Sequence, residues 1–205
     1  MARTRDDDMS PHYKDTAEGI WEAGPLSDGY LRRNRDRGAE RGPFWAKLQR
    51  QFQFSSTLEV GCGSGNNLMW IDGKIAGIDL HAPSLDLARE RCPSADLRRA
   101  SLVAIPFPPS SFDCVLSCGV LIHVPPKDLP RAMDEMCRVS GKWLLVMEYH
   151  DSAETAVPWR GEVLWRRPYS ALFPARFTLK NVARGFLGEG SGFDALHWDL
   201  WRKGT

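Results

Sequence analysis

Short apolar runs alternate with helical stretches through the middle of this chain. Thr57–Val60, Ile75–Asp79, Asp96–Ala100, Phe112–Cys118 and Lys142–Glu148 read as five strands. Between and before them, helices are expected at Phe44–Phe52 after Pro43, briefly at Asn66–Ile71, at Pro83–Arg91, and at Lys127–Val139 after Pro125-Pro126. The run Trp143–Met147 is continuously apolar, as in a strand covered on both faces. This βαβα order predicts a mostly parallel sheet with helices on both sides. The regular pattern stops after His150. Residues 151–176 contain three prolines and read as an insertion on the substrate side after the fifth strand. Phe177–Leu187 reads as helical, and the partly alternating Phe193–Trp201 as a closing strand. At the other end, residues 1–12 read as a flexible tail. Thr16–Asp36 reads as a helical arm broken at Gly24-Pro25 and Gly29. No internal repeat is visible, and 205 residues suit a single α/β domain over 13–205.

Composition narrows this picture. A hydrophobic fraction of 42% is enough for a buried core. With 27 basic and 26 acidic residues the net charge is +1, so neither nucleic acid nor a membrane surface is expected as a partner. The five cysteines are odd in number and form no CxxC pair. Neither a disulfide framework nor a metal site is expected, and reduced cysteines fit a cytoplasmic protein. The charged start of the chain has no apolar core of a signal peptide, and no apolar run is long enough to span a bilayer.

The chemistry concentrates where the first strand meets glycines, at Glu59-Val60-Gly61-Cys62-Gly63-Ser64-Gly65. A dinucleotide fingerprint would need glycine or alanine where Asn66 stands, and a phosphate-binding P-loop would need a Gly-Lys-Ser/Thr ending. Neither is present. The pattern Glu59-x-Gly61-x-Gly63-x-Gly65 suits a cofactor without phosphates, S-adenosylmethionine, passing close over the loop. Glu59 is placed to hold the loop or the cofactor ammonium. Twenty residues on, Asp79 ends the second strand, where a carboxylate accepts hydrogen bonds from both ribose hydroxyls, with Leu80 against the adenine.

Together with Gly77-Ile78-Asp79, Ile105-Pro106-Phe107, Phe112–Val115 and His123-Val124-Pro125, this loop resembles the class I S-adenosylmethionine-dependent methyltransferases over about residues 56–149. The resemblance implies a Rossmann-like sheet of seven strands with the last antiparallel. It also implies adenine contacts from Ser101 and Leu102, and a methyl-transfer cavity lined by Cys118, Gly119 and Val120. Ser101 departs from the aspartate common in the family. A narrower likeness, at Trp21–Gly24 through Tyr30 and Asn34, then Val157–Gly161 and Leu164–Arg167, is similar to methylases associated with pseudaminic acid biosynthesis. It implies an N-terminal lid over 13–40, with Tyr30 and Arg33 covering the methionine end of the cofactor.

The expected reaction is methylation of a small-molecule oxygen or nitrogen, on an anionic sugar or amino-acid-like acceptor. A cyclase or lyase consuming the same cofactor, or a non-catalytic binding protein, stays open. His123 is either a general base with a pKa near neutral or a structural histidine that closes the pocket. Glu148, Tyr149 and His150 follow the fifth strand as alternative base or orienting groups. Arg160, Arg166 and Arg167 are either an anion-binding set or a solvated basic surface. Trp159, Trp165 and Tyr169 are either a wall around a substrate ring or the core of the insertion.

Overall fold

The structure is a computed structural model. It describes Trp21, Gly29, Leu31, Arg32 and residues 38–159, 162–188 and 190–204. The expected residues Tyr30, Arg33 and Arg160, and most of the proposed 13–40 lid, lie outside the described residues.

Nine strands and four α-helices are described. In chain order they are α1 (Gly42–Phe52), β1 (Ser56–Val60), β2 (Lys74–Asp79), α2 (Ala82–Arg91), β3 (Asp96–Arg99), β4 (Phe112–Cys118), α3 (Leu129–Val139), β5 (Ser140–Glu148), β6 (Thr155–Trp159), β7 (Glu162–Arg166), α4 (Tyr169–Arg176), β8 (Leu179–Leu187) and β9 (Leu196–Lys203). Seven strands form one sheet in the order β3-β2-β1-β4-β5-β9-β8. Strands β1 to β5 pair in parallel, whereas β9 runs antiparallel to both of its neighbours. This is the seven-stranded sheet with an antiparallel final strand that the resemblance implies.

The period-two alternation of the central strands divides the core. Val115, Leu144 and Val146 face a layer that holds Met133 and Met136 of α3 and Phe173 of α4. Cys114, Leu116, Leu145 and Met147 face the other layer, with Trp45 and Leu48 of α1 and Leu85 of α2. Helix α3 places Leu129, Ala132, Met133, Met136 and Val139 on one buried face, at the three- and four-residue spacing of an amphipathic helix. Because the sheet is covered on both sides, its carboxyl edge is where a ligand can enter.

Two expectations are corrected. Phe177–Leu187 is not helical. It forms the edge strand β8, paired along β9 with an irregularity between Asn181 and Ala183. Its helix-forming Ala, Arg and Leu residues are overridden by pairing, with Lys180, Arg184 and Phe186 left exposed. Asn66–Ile71 is a series of turns closed by one 3-10 turn at Leu68–Trp70, not an α-helix. Within 151–176, β6 and β7 pair as an antiparallel hairpin and α4 follows.

Candidate functional site

Strands β1, β2 and β4 end side by side, and their loops enclose a cleft of about 680 Å³, part of it open to solvent. Gly61, Gly63, Asp79, Leu80, Leu102, Cys118, Gly119, Val120 and His123 all line it.

The glycine loop is tied to β2 by two hydrogen bonds. The Cys62 amide donates to the Ile78 carbonyl at 2.9 Å, and the Gly63 amide donates to Asp79 Oδ2 at 2.8 Å. The other carboxylate oxygen, Oδ1, accepts the His81 amide at 2.9 Å. Burial raises the Asp79 pKa, while these backbone donors pull against it. Gly61 and Gly63 both have positive φ, 69° and 52°, a region that side chains disfavour. They differ in what surrounds them. A Cβ on Gly61 would lie 2.4 Å from Val120 Cγ2, so this glycine lets the post-β4 turn close on the loop. A Cβ on Gly63 would meet nothing within 4 Å and would stand in the cleft.

Below the loop, Glu59 is buried with one oxygen engaged. Asn67 Nδ2 donates to Glu59 Oε1 at 2.6 Å, and Asn67 Oδ1 accepts Arg41 Nη1 at 2.9 Å and Trp45 Nε1 at 3.3 Å. Glu59 Oε2 has no hydrogen-bond partner among the described residues. Burial, outweighing the Asn67 hydrogen bond and the Arg41 charge, lifts this carboxyl to about 8. A buried, half-satisfied carboxyl of this kind fits a cationic ligand group, whose charge would restore ionisation.

The opposite wall is the turn from Gly119 to Val124. The Val120 and Leu121 amides donate to Glu148 Oε1 at 3.2 and 3.1 Å. Burial lifts the Glu148 carboxyl to about 7. His123 faces the cleft between two indoles: the Trp21 ring stands edge-on at 4.6 Å and the Trp159 ring is tilted at 5.9 Å. This apolar enclosure pushes the His123 pKa down to about 3, which corrects the expectation of a value near neutrality. Cys118 is similarly inert, its thiol pushed up to about 12 by burial.

Other expected residues are placed differently. Ser101 does not line the cleft; its neighbours Ala100 and Leu102 do, while its Oγ accepts the Val103 amide at 3.3 Å. Gly65 backs onto Cys92 and Ala88 of α2. Tyr149 lies beside Gly119, its Cε2 3.9 Å from where a Cβ there would stand. His150 is not among the residues that line the cleft; its ring is 5.1 Å from His197 and its Nε2 3.5 Å from Ser170 Oγ. Arg167 is no anion site: it is fully buried and its guanidinium is engaged by the protein. Tyr169 is a core residue, 3% exposed, and Arg166 is exposed on the hairpin. No lysine or arginine is among the described residues lining the cleft. Trp21, His81, Ser84 and Ala100 line it without having been singled out for the site. For His81 and Ser84 the signal was proximity to Asp79, and their side chains pair at 2.8 Å between Nδ1 and Oγ.

A family model described as "Methyltransferase domain" matches residues 58–143. The chain is 29% identical over 142 residues to the probable tRNA methyltransferase 9B of Bos taurus, covering 63% of this chain and 31% of that protein. It is 32% identical over 95 residues to the Mus musculus protein of the same name, covering 45% and 21%. The chain thus spans less than a third of the length of these curated relatives. Among solved structures it resembles the Burkholderia thailandensis 1,6-didemethyltoxoflavin-N1-methyltransferase, crystallised with its acceptor and S-adenosylhomocysteine. The TM-score is 0.70 at 15% identity, over 87% of this chain and 85% of that one. The fold is that of the class I S-adenosylmethionine-dependent methyltransferases. One expectation is overturned here. Both curated relatives are named as tRNA methyltransferases, so the exclusion of nucleic acid as a partner does not stand. A net charge near zero averages over the whole surface and says nothing of a local basic face. Among the described residues no helix is long and apolar enough to cross a membrane.

Proposed function

We propose that this chain is an S-adenosylmethionine-dependent methyltransferase that modifies an oxygen or nitrogen of a small, ring-bearing acceptor. The observation that carries the reading is the joining of the glycine loop to Asp79 at the edge of one cleft. The residues fit the cofactor. Asp79 keeps lone pairs for the ribose hydroxyls beyond those used by Gly63 and His81. Glu59 Oε2 offers an unsatisfied acceptor for the ammonium. Leu80, Ala100 and Leu102 form an apolar slot for the adenine. Gly63 leaves open the space that a side chain would fill.

When bound, the cofactor supplies a methyl group activated on a sulfonium. The chain's own contribution is alignment and exclusion of water. Trp21 and His123 border the acceptor side with flat rings, and Trp159 backs the His123 ring. His123, neutral across the physiological range, orients the acceptor by hydrogen bonding rather than storing its proton. An anionic acceptor draws no support from Arg167, which is engaged inside the protein. Nor do the family match and the curated relatives support a role tied to pseudaminic acid. The five unpaired cysteines support a reducing, cytoplasmic setting.

A second reading, with RNA as the acceptor, is favoured by the names of both curated relatives. Transfer of labelled methyl from S-adenosylmethionine to a panel of aromatic amines, phenols, amino sugars and unmodified tRNA separates the two. Label in a small ring-bearing compound supports the first reading, and label only in tRNA replaces it. Mass spectrometry after incubation with the cofactor alone identifies a cyclase or lyase by products formed without acceptor. Binding without turnover across the panel would mark a non-catalytic protein.

A further inference from the structure

The turn that carries His123 is held from two sides by buried polar groups, a carboxyl and a guanidinium. On the sheet side, Glu148 Oε1 accepts the Val120 and Leu121 amides. On the hairpin side, Arg167 Nη1 donates to the Leu121 carbonyl at 2.9 Å and Nη2 donates to the Val124 carbonyl at 2.8 Å. Arg167 Nε donates to Glu154 Oε2 at 2.6 Å, and Nη1 also reaches Tyr169 Oη at 3.4 Å. Arg167 is 0% exposed and its ion-pair partner Glu154 is 45% exposed in side chain. A fully buried guanidinium is costly unless its donors are satisfied, so this one holds the turn's carbonyls firmly.

We propose that Arg167 is a positioning residue: it clamps the Leu121–Val124 turn to the base of the β6–β7 hairpin, so that the hairpin sets where His123 stands in the cleft. The inference rests on reading this cleft as the site of methyl transfer. Two further contacts support the coupling. Trp159, at the end of β6, packs against the His123 ring, so the hairpin touches the turn at its tip as well as its base. The turn in turn bears on the cofactor loop, because Val120 fills the space above Gly61. Lysine cannot replace the fork. Its single ammonium cannot span two carbonyls three residues apart while also meeting Glu154.

The test is the imidazole NMR spectrum of the full chain, in wild type and in the Arg167→Lys and Glu154→Gln variants. In wild type the His123 signals should carry ring-current shifts from its two indole neighbours, and the ring should stay neutral well below the ordinary value of 6.5. In Arg167→Lys the His123 signals should lose those shifts and titrate closer to the ordinary value of 6.5, while those of His81 and His197 stay in place. Glu154→Gln should move His123 the same way by a smaller amount. It decides the matter if Arg167→Lys does not fold, since Glu154 is half exposed. Unmoved His123 signals in the folded variants would overturn the proposal. So would a change spread equally over His81 and His197, which would mean general loosening. Failure of the methyltransferase reading would show separately, as wild-type protein that does not bind S-adenosylhomocysteine.

Discussion

The Gly63 amide donates to Asp79 Oδ2 at 2.8 Å, joining in one hydrogen bond the two motifs that lie sixteen residues apart at the ends of β1 and β2. Asp79 is therefore the brace of the loop. The expected ribose contact and the loop's shape depend on the same carboxylate.

The two glycines at the front of the loop should respond differently to a methyl group. Gly61→Ala adds left-handed strain to a clash with Val120, and should cost about 2–5 kcal/mol of stability. Gly63→Ala adds only strain, about 1–2 kcal/mol, but its methyl stands in the cleft. That variant should fold and yet bind S-adenosylhomocysteine at least about tenfold more weakly. Thermal melts and calorimetry on both proteins check this. Equal stability loss with unchanged binding would show that the loop does not face the ligand.

Stability should fall as the pH rises. The folded chain holds the Glu59 carboxyl at about 8 and that of Glu148 at about 7, against an ordinary value of 4.5. Between those values the folded state carries protons that the unfolded chain has released, so stability declines from about pH 4.5 to 8. Glu59→Gln should flatten the upper part of that decline. Urea titrations at pH 5 and pH 8 measure it, and parallel losses in wild type and variant would refute the assignment.

Cofactor binding should reverse that protonation. An ammonium beside Glu59 Oε2 favours the carboxylate, so binding near neutral pH should release a proton and tighten between pH 6 and about 7.5. Calorimetry in two buffers of different ionisation enthalpy reads the proton count. Glu59→Gln should abolish the release.

His123 works in the opposite direction. Its folded pKa of about 3 lies below the ordinary 6.5, so its contribution to stability is complete above 6.5 and is lost as the pH falls toward 3. His123→Gln should make the chain less sensitive to acid between pH 4 and about 6.5. A variant as acid-sensitive as wild type would show that His123 is not enclosed as described.

The elements with strong local signals were legible in the sequence. Phe112–Cys118 is a strand over the expected residues, and Gly61 and Asp79, singled out by their spacing, both line the cleft at the sheet edge. What escaped was set by contacts distant in the chain. Strand β8 reads as a helix until β9 pairs with it. Arg167 looks like a solvated or anion-binding arginine beside Arg166, and only the fold reveals the Leu121 and Val124 carbonyls that consume it. The near-neutral histidine expected at position 123 becomes a neutral one because Trp21, some hundred residues earlier, stands against its ring. Local pattern carries no record of such enclosure.

The Gly63–Asp79 edge of the cleft is the proposed binding site for S-adenosylmethionine. Titration calorimetry of wild type and Asp79→Ala with S-adenosylhomocysteine tests it most directly. One saturable site is expected in wild type and a loss of about 1.5–3 kcal/mol in the variant, roughly tenfold to a hundredfold in affinity, with the chain still folded. Equal affinity in the two proteins, or no binding to wild type, would contradict it.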